Sequence, residues 1–418
     1  MNSSLIYFFS IGLLCFPFTI RASTSSVTLF EQITYRNLKP DPILNPNQEI
    51  LGFPKGINKL YAIADYKSDV SETLRYQIRY RPIMESTRTE TIFTGILDEA
   101  FFEWKQGQNF IYAGKKNNKD GVGLSANPTD FLGENKVVDK TKREEDRRIQ
   151  REGDILLGTD IFQNNMSYSV LVSPKIDSIQ NENRYLLKAN LLLEELQTDV
   201  SALYFSGSLS GIGLNLSTTL GDSFVIYTET AYRYGVAPKK YVTLVNDATP
   251  RDYQIESRSG AISYVDSVLG GHYTFGDAST LIVEYYYHGG GYSSDEWNTI
   301  SDFILYANRQ YKSGFAPALM SGYLQQANAL MNFGSMAQHY GFARYSKPSL
   351  FEDLDISFVV LANISDGSLL LNPYLTYHMG ENSEIYLSTY LFSGTETAEF
   401  GLPNWNPEIT MGAKWNCF

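Results

Sequence analysis

Three arginines stand on one face of a short alternating stretch, and their side chains carry the clearest chemistry in the sequence. Arg75, Arg79 and Arg81 lie in LRYQIRYR, where leucine, isoleucine and tyrosine occupy the other alternate positions. Side chains of a β-strand point to opposite faces in turn, so one face is polar and the other apolar. Guanidinium groups bind carboxylates or phosphates in forked pairs, and a row of them beside water would attract anions. The pattern therefore predicts a strand whose polar face lines a channel.

The alternative for this arginine row is structural. Charged groups in confined places are usually paired, so Glu103 or Glu90 of a neighbouring strand would brace the wall through ion pairs. The same alternation puts other charged side chains on polar strand faces. The predicted pore-lining residues are Arg75, Arg79, Arg81, Arg184, Lys188 and Glu284.

Residues for catalysis or metal binding do not form a recognisable group. The histidines, at positions 272, 288, 339 and 378, have no metal-ligand spacing such as HExxH. The sequence contains no GxSxG elbow, no phosphate-binding P-loop and no CxxC pair. We therefore predict no enzymatic activity, no metal and no cofactor.

The repeated alternation predicts an all-β chain. Apart from the first residues, no run of eighteen apolar residues exists, which argues against helical membrane spans. The chain is rich in tyrosine (30) and phenylalanine (24) while its mean hydropathy is only −0.23, as expected where half of each strand faces lipid and half faces water. We predict a single-chain antiparallel transmembrane β-barrel of about eighteen strands, with sixteen as the alternative. The candidate strands are 26–36, 58–67, 73–81, 97–105, 108–115, 153–162, 165–173, 184–194, 198–206, 211–220, 223–233, 260–275, 280–288, 338–346, 354–363, 367–378, 383–393 and 408–418.

The chain divides into a leader and one barrel domain. Residues 1–22 have the apolar stretch and small following residues of a cleavable signal peptide, with a lipid anchor on Cys15 as the alternative. Residues 23–418 form the barrel, and the alternation stops in long loops near 37–57, 116–152 and 289–337. The stretch APALMSGYLQQANALM in the last loop is poor strand material and suits a helix.

Charge excludes one class of partner and marks one loop. The formal net charge of −12 argues against nucleic acid as a partner. A dense run from Glu134 to Asp154 has equal numbers of acidic and basic residues. It is either a constriction loop folded into the pore or a solvated surface loop.

The C-terminus has the form of a closing barrel strand. Ile409, Met411, Ala413 and Trp415 form an apolar row, but the terminal Phe418 is out of step with it. Cys417 behaves as the extra residue, either on the lipid face or in a small bulge. We predict that Trp415 and Phe418 form the signal for membrane insertion.

Two stretches carry a family resemblance. The segment FFEWKQGQNFIYAGKKNNKDGVGLSANPTDFLG, followed by REGDILLGTDIF, and the later ANISDGSLLLNPYLTYHMGENSEIYLSTYLFSG resemble Gram-negative porin-like outer-membrane barrels, in particular those of the alginate-export type. The most specific matches are Asn127-Pro128-Thr129-Asp130 and the terminal aromatic residue. The resemblance implies a barrel in the cell outer membrane, in contact with outer-membrane lipid and inserted by the outer-membrane assembly machinery.

Three functions compete at this stage. The first is a porin-like channel for passive transport or export of small solutes or a secreted product. The second is a structural or interaction barrel whose long loops, 116–152 and 289–337, bind a partner. The third is a soluble secreted all-β protein.

Overall fold

A closed sheet of eighteen strands forms the body of the protein. The computed structural model describes residues 22–133, 147, 151–176, 182–236, 239–257 and 260–417. The strands of the barrel are β1 (Ala22–Leu38), β2 (Gly56–Asp69), β3 (Leu74–Ser86), β4 (Thr91–Gln106), β5 (Asn109–Lys116), β6 (Asp154–Gln163), β7 (Met166–Ser173), β8 (Arg184–Leu193), β9 (Thr198–Ser206), β10 (Leu209–Leu220), β11 (Phe224–Gly235), β14 (Ile262–Thr274), β15 (Thr280–His288), β16 (His339–Phe351), β17 (Leu354–Asn363), β18 (Ser368–His378), β19 (Ser383–Ser393) and β20 (Trp405–Asn416). A separate hairpin is formed by β12 (Lys240–Asn246) and β13 (Asp252–Ser257).

The barrel closes because its first and last strands meet. β1 pairs antiparallel with both β2 and β20, and every other barrel strand pairs with its two neighbours in chain order, with β11 joined directly to β14. Closure leaves no open sheet edge, and it satisfies the backbone hydrogen bonds of each strand within the sheet. The prediction of one antiparallel barrel of about eighteen strands is confirmed. The leader predicted over residues 1–22 lies outside the described residues except for Ala22, the first residue of β1.

The two ends of the barrel differ in the length of their connections. One end has tight turns, such as Gly107-Gln108 between β4 and β5. The other end carries the connections 39–55, 117–153, 236–261, 289–338 and 394–404. In outer-membrane barrels short turns are periplasmic and long loops extracellular.

Side chains along each strand alternate between the two surfaces of the sheet. In β10, Ile212 (60% exposed) and Leu214 (53%) point outward, while Asn215 between β9 and β11 is buried. In β3, Ile78 and Tyr80 are exposed on the outside, and the arginines have the opposite parity. The apolar face is therefore the outer face, which is the reverse of a soluble barrel.

A small folded cap lies at the end with long connections. Helices α1 (Ser294–Lys312) and α2 (Pro317–Leu330) pack with the β12–β13 hairpin around buried side chains that include Phe303, Tyr253 and Leu324. Ser293 and Glu296 form a capping box that satisfies the first N–H groups of α1. α2 falls within the stretch predicted to suit a helix, whereas the hairpin between β11 and β14 was missed. Among the described residues, no helix is both long enough and apolar enough to cross a bilayer.

Candidate channel lumen

The segment 117–133, which we call the inserted segment, folds into the barrel. Phe131 and Leu132 are buried against inward-facing side chains of the wall, and the Phe131 ring stacks on Phe205 with centroids 5.3 Å apart. Gly213 makes this approach possible, because a Cβ there would lie 2.7 Å from the Thr129 methyl group. The inward-facing leucines under the segment are Leu156, Leu171, Leu186 and Leu203. This part of the lumen is therefore filled by apolar packing.

Glu229 of β11 is the first of two carboxylates that hold the inserted segment. Its side chain is fully buried and accepts hydrogen bonds from the N–H groups of Val122 (2.7 Å), Gly123 (3.0 Å) and Thr129 (2.7 Å). The Thr129 hydroxyl donates a further bond at 2.9 Å. Gly121 has a φ of +94°, and a Cβ there would lie 2.5 Å from a Glu229 oxygen, so this turn requires glycine.

Glu284 of β15 is the second carboxylate that holds the inserted segment. It accepts hydrogen bonds from the N–H groups of Leu124 and Ser125, both at 2.6 Å, and from the Tyr227 hydroxyl at 2.5 Å. Glu284 was predicted to line a pore, and it does face inward, but the inserted segment covers it. Its observed contacts are those of an anchor for that segment.

Every residue of the Asn127-Pro128-Thr129-Asp130 motif helps to seat the segment. The Asn127 amide donates to the Gly123 carbonyl at 2.6 Å, and the Pro128 carbonyl accepts from Arg233 at 2.7 Å. Thr129 binds Glu229 as described, and Asp130 forms an ion pair with Arg151. Pro128 and Thr129 thus contact the barrel wall, whereas Asn127 and Asp130 bind within the 117–153 connection.

The charged run proposed as a constriction loop lies mostly outside the described residues. Arg147 and Arg151 are described, and both reach back to the inserted segment. Arg147 donates to the Leu124 carbonyl at 2.7 Å, and Arg151 binds Asp130. Among the described residues of the 116–152 loop, 117–133 lie within the lumen, a placement that was not predicted from the sequence.

The arginine row of β3 faces inward and is paired with carboxylates along its length. Arg75 contacts Glu103 at 2.5 Å, and Arg79 contacts Glu99 at 2.9 Å. Arg81 and Asp98 form a two-bond fork at 2.8 and 2.9 Å. Arg79 also binds Asp65 of β2 at 2.6 Å. The bracing alternative describes these contacts, with Glu103 as one of the acids it named.

A bulge in β4 makes this pairing complete. Arg79 lies opposite Glu99 but Tyr80 lies opposite Leu97, so Asp98 is an extra residue in the ladder. Strict alternation would point Asp98 outward because Glu99 points inward. The bulge turns Asp98 inward as well, where it is fully buried beside Arg81.

Arg184 and Lys188 of β8 also face inward and have partners. Arg184 donates to Asp154 at 3.0 Å, and Lys188 contacts Asp120 of the inserted segment at 2.8 Å. The structure therefore brings five of the six predicted residues into ion pairs and buries the sixth, Glu284, under the inserted segment.

A cavity of about 490 Å³ remains beside the β2–β4 wall. Arg75 and Arg79 line it together with Glu99, Glu103 and Lys116. The wall also includes Thr24, Lys67 and Asp69 near the end with short turns. Lys116 contacts Glu103 at 3.4 Å, and the Asn117 N–H donates to Glu99 at 2.9 Å, so the root of the inserted segment forms one side of the cavity. Among the described residues, no group of three or more His, Cys, Asp or Glu side chains could hold a metal ion.

The C-terminal strand keeps its register to its last paired residue. Thr28 pairs with Asn416, and the Cys417 N–H donates to the Val27 carbonyl at 2.8 Å. No bulge interrupts the described part of β20 near Trp415, and the exposed thiol of Cys417 follows directly. Met411 and Ile409 point outward in the same row as Trp415. Phe418 lies outside the described residues.

A buried carboxylate also ties the cap connections together. Glu399, in the connection 394–404, accepts bonds from the Gly334 N–H (2.5 Å), the Tyr340 hydroxyl (2.7 Å) and the Asn363 amide (2.9 Å). Burial raises the pKa of its carboxyl to about 7, although the bond from Tyr340 lowers it. Glu399, Glu229 and Asp98 were not predicted from the sequence. The available signal at Glu229 was a carboxylate on the same strand face as Tyr227 and Ala231.

Comparison with known proteins bears on the fold. No protein-family model and no curated protein matches the chain. It is similar to the crystal structure of Acinetobacter baumannii OccAB1, with a TM-score of 0.56 and 10% identity over 96% of this chain and 98% of that one. Pseudomonas aeruginosa OccK5 (OpdH) matches with a TM-score of 0.54 and 10% identity over 95% and 98% of the two chains. P. aeruginosa OpdK with vanillate matches with a TM-score of 0.56 and 8% identity over 95% and 99%. A second structure of OpdK, described as an outer membrane protein, gives a TM-score of 0.54 and 8% identity over 95% and 99%. At these identities the likeness shows a shared fold, that of a porin-like outer-membrane β-barrel.

Proposed function

We propose that this protein is a porin-like channel of the cell outer membrane that passes small solutes. The observation that carries the proposal is the lumen itself. A closed barrel encloses an inserted segment that fills one side and leaves a charged cavity of about 490 Å³ on the other. Narrowing by a loop folded into the barrel, with polar groups beside the opening, is how a wide barrel can select small solutes.

The outer surface supports the membrane location. Apolar side chains such as Ile212 and Leu214 are exposed there, with nothing to bury them except lipid. On the outward face of β2–β4, near the short turns, the Tyr76 ring contacts two other rings. Its centroid lies 5.7 Å from that of Tyr66 and 6.0 Å from that of Phe102. Aromatic rings in such a band suit the boundary between lipid tails and headgroups. A soluble secreted barrel would expose these groups to water.

Conductance across a planar bilayer tests the channel directly. Thr24 faces the cavity from β1 and Ser25 faces outward beside it, so they offer a matched pair. We expect wild type to form steady ohmic pores, Thr24→Trp to lower the single-channel conductance and Ser25→Trp to leave it unchanged. Vanillate, with which OpdK was crystallised, and an uncharged sugar are suitable solutes for parallel uptake assays in proteoliposomes.

A plugged barrel that binds a partner is the second candidate, and the folded cap favours it. The cap has its own buried core around Phe303 and presents a defined surface at the end with long connections. A wild-type protein that inserts into bilayers but never conducts would support this candidate over the channel. We propose no enzymatic reaction. The structures compared above do not support the alginate-export type implied by the resemblance, and paired arginines offer little attraction for a polyanion.

Insertion is proposed to depend on the C-terminal aromatic residues, Trp415 and Phe418, acting as the signal for the outer-membrane assembly machinery. Trp415 continues the outward apolar row of β20. Deleting Phe418 should reduce the heat-modifiable, folded form in washed outer membranes. Deleting Cys417 should preserve it. The reverse result would mean that another residue is recognised.

A further inference from the structure

The charges around the lumen cavity balance each other. Its lining includes four basic side chains, Lys67, Arg75, Arg79 and Lys116, and three acidic ones, Asp69, Glu99 and Glu103. A fourth carboxylate, Asp65, binds Arg79 directly behind the lining. The wall therefore has no formal net charge although it is dense in ions. A cavity whose wall has no net charge does not strongly attract simple anions or cations.

The bulge in β4 is what supplies enough carboxylates. Asp98 neutralises Arg81, so Glu99 remains available for Arg79 and Glu103 for Arg75. Without the bulge, β4 would present one carboxylate fewer on its inner face, and the arginine row would be in excess.

Glu103 neutralises positive charge at the cavity. It contacts two cations, Arg75 at 2.5 Å and Lys116 at 3.4 Å. The Arg75 side chain is 59% exposed, so it is open to water in the cavity, whereas Glu103 is nearly buried. Removal of this one carboxylate would leave two neighbouring positive charges facing the cavity.

We propose that Glu103 is a specificity-determining residue that suppresses anion selectivity, so that the cavity favours small solutes without net charge over simple anions. This inference rests on the proposed channel function. The arginine row alone predicts the opposite selectivity.

The test is the reversal potential of single channels in a potassium chloride gradient. We expect wild type to discriminate weakly between the two ions. Glu103→Gln should raise the ratio of chloride to potassium permeability about threefold, because two close cations lose their shared carboxylate. Arg75→Gln/Glu103→Gln removes one charge of each sign and should return the ratio towards wild type. Glu381→Gln, an exposed carboxylate in a short turn that does not line the cavity, is the matched control and should have no effect.

Pore size is measured separately by the swelling of proteoliposomes in an uncharged sugar. The Glu103→Gln protein should admit the sugar at the wild-type rate. If Glu103→Gln fails to fold, as judged by heat-modifiable migration, Arg75→Gln provides the same test in reverse. It should lower chloride permeability, and folding should tolerate it because the side chain is exposed.

The outcomes separate the inference from the channel function. Wild-type channels that already prefer chloride strongly, or Glu103→Gln channels with unchanged selectivity, would overturn the role of Glu103 and leave the channel intact. The absence of conductance in every folded variant would overturn both.

Discussion

The two sides of the lumen are built in different ways. The inner face of β6–β11 has an apolar patch under the inserted segment, where Phe131 stacks on Phe205. The inner face of β2–β4 is charged, paired and open to the cavity. In a barrel the inner surface is polar where it meets water and apolar where something covers it. An inward-facing leucine between charged neighbours of the same face, such as Leu186 between Arg184 and Lys188 in β8, therefore marks a covered part of the wall.

The largest expected effect is on the apolar side. Phe131→Ala should lower the free energy of unfolding by about 4 kcal/mol, because a buried aromatic ring is lost and a cavity is left behind. Denaturant unfolding in detergent micelles measures the change. Phe102→Ala removes an exposed ring from the outer face and should cost much less. Equal losses would mean that the inserted segment is not packed as described.

On the charged side, breaking one buried ion pair should be nearly as costly. Asp98→Asn leaves Arg81 without its forked partner and should destabilise the barrel by about 3 kcal/mol. Replacing both residues by apolar ones, as in Arg81→Met/Asp98→Leu, should recover most of that loss, because no charge is then left unmatched. If the double variant is as unstable as Asp98→Asn, the pair is not an isolated unit and the bulge itself depends on it.

Glu229 of β11, on the same side as the apolar patch, holds the inserted segment to the wall. Glu229→Gln removes the charge that receives the bonds from Val122, Gly123 and Thr129, and we expect a loss of about 2 kcal/mol. The segment should also become less firmly seated, which would appear as larger current fluctuations in open channels. Glu195→Gln, an exposed carboxylate in the β8–β9 turn, is the control. Quiet channels in Glu229→Gln would show that the apolar contacts alone seat the segment.

The smallest expected effect concerns pH and the cap. The pKa of Glu399 is raised from 4.5 to about 7, so the folded protein binds a proton that the unfolded chain releases at lower pH. Its contribution to stability is therefore fully present below about pH 4.5 and is lost as the pH rises through about 7. Tyr340 and Asp366 are the other titratable groups facing this carboxyl. Hydrogen exchange of the 331–338 segment should accelerate between pH 6 and 8, within the window set by that pKa.

Glu399→Gln is the control for this pH effect. Glutamine does not ionise, so the part of the pH dependence that exceeds the intrinsic exchange rate should disappear in this variant. A slope that persists would have to come from another group of the cap.

Local pattern predicted the strands well and the lumen only in part. Alternation with period two depends only on neighbouring residues, so the strands could be found from the sequence. The eighteen candidate strands agree in number with the strands of the barrel. The outward apolar face of β3 was also predicted, at Ile78 and Tyr80. The β12–β13 hairpin was missed because its strands pack into the cap and follow no membrane pattern. The arginines of β3 were located on the correct face, but their partners were not known apart from Glu103.

The amino-acid sequence by itself determined where polar and apolar side chains alternate, where the chain turns and which face of each strand is polar. These features depend on adjacent residues. Tertiary structure decided that residues 117–133 enter the barrel and which carboxylates neutralise the arginines. Glu229 is about a hundred residues from the N–H groups that it binds, and Asp98 meets Arg81 only because a bulge shifts the register. Such contacts depend on barrel closure and strand register, which no local pattern specifies.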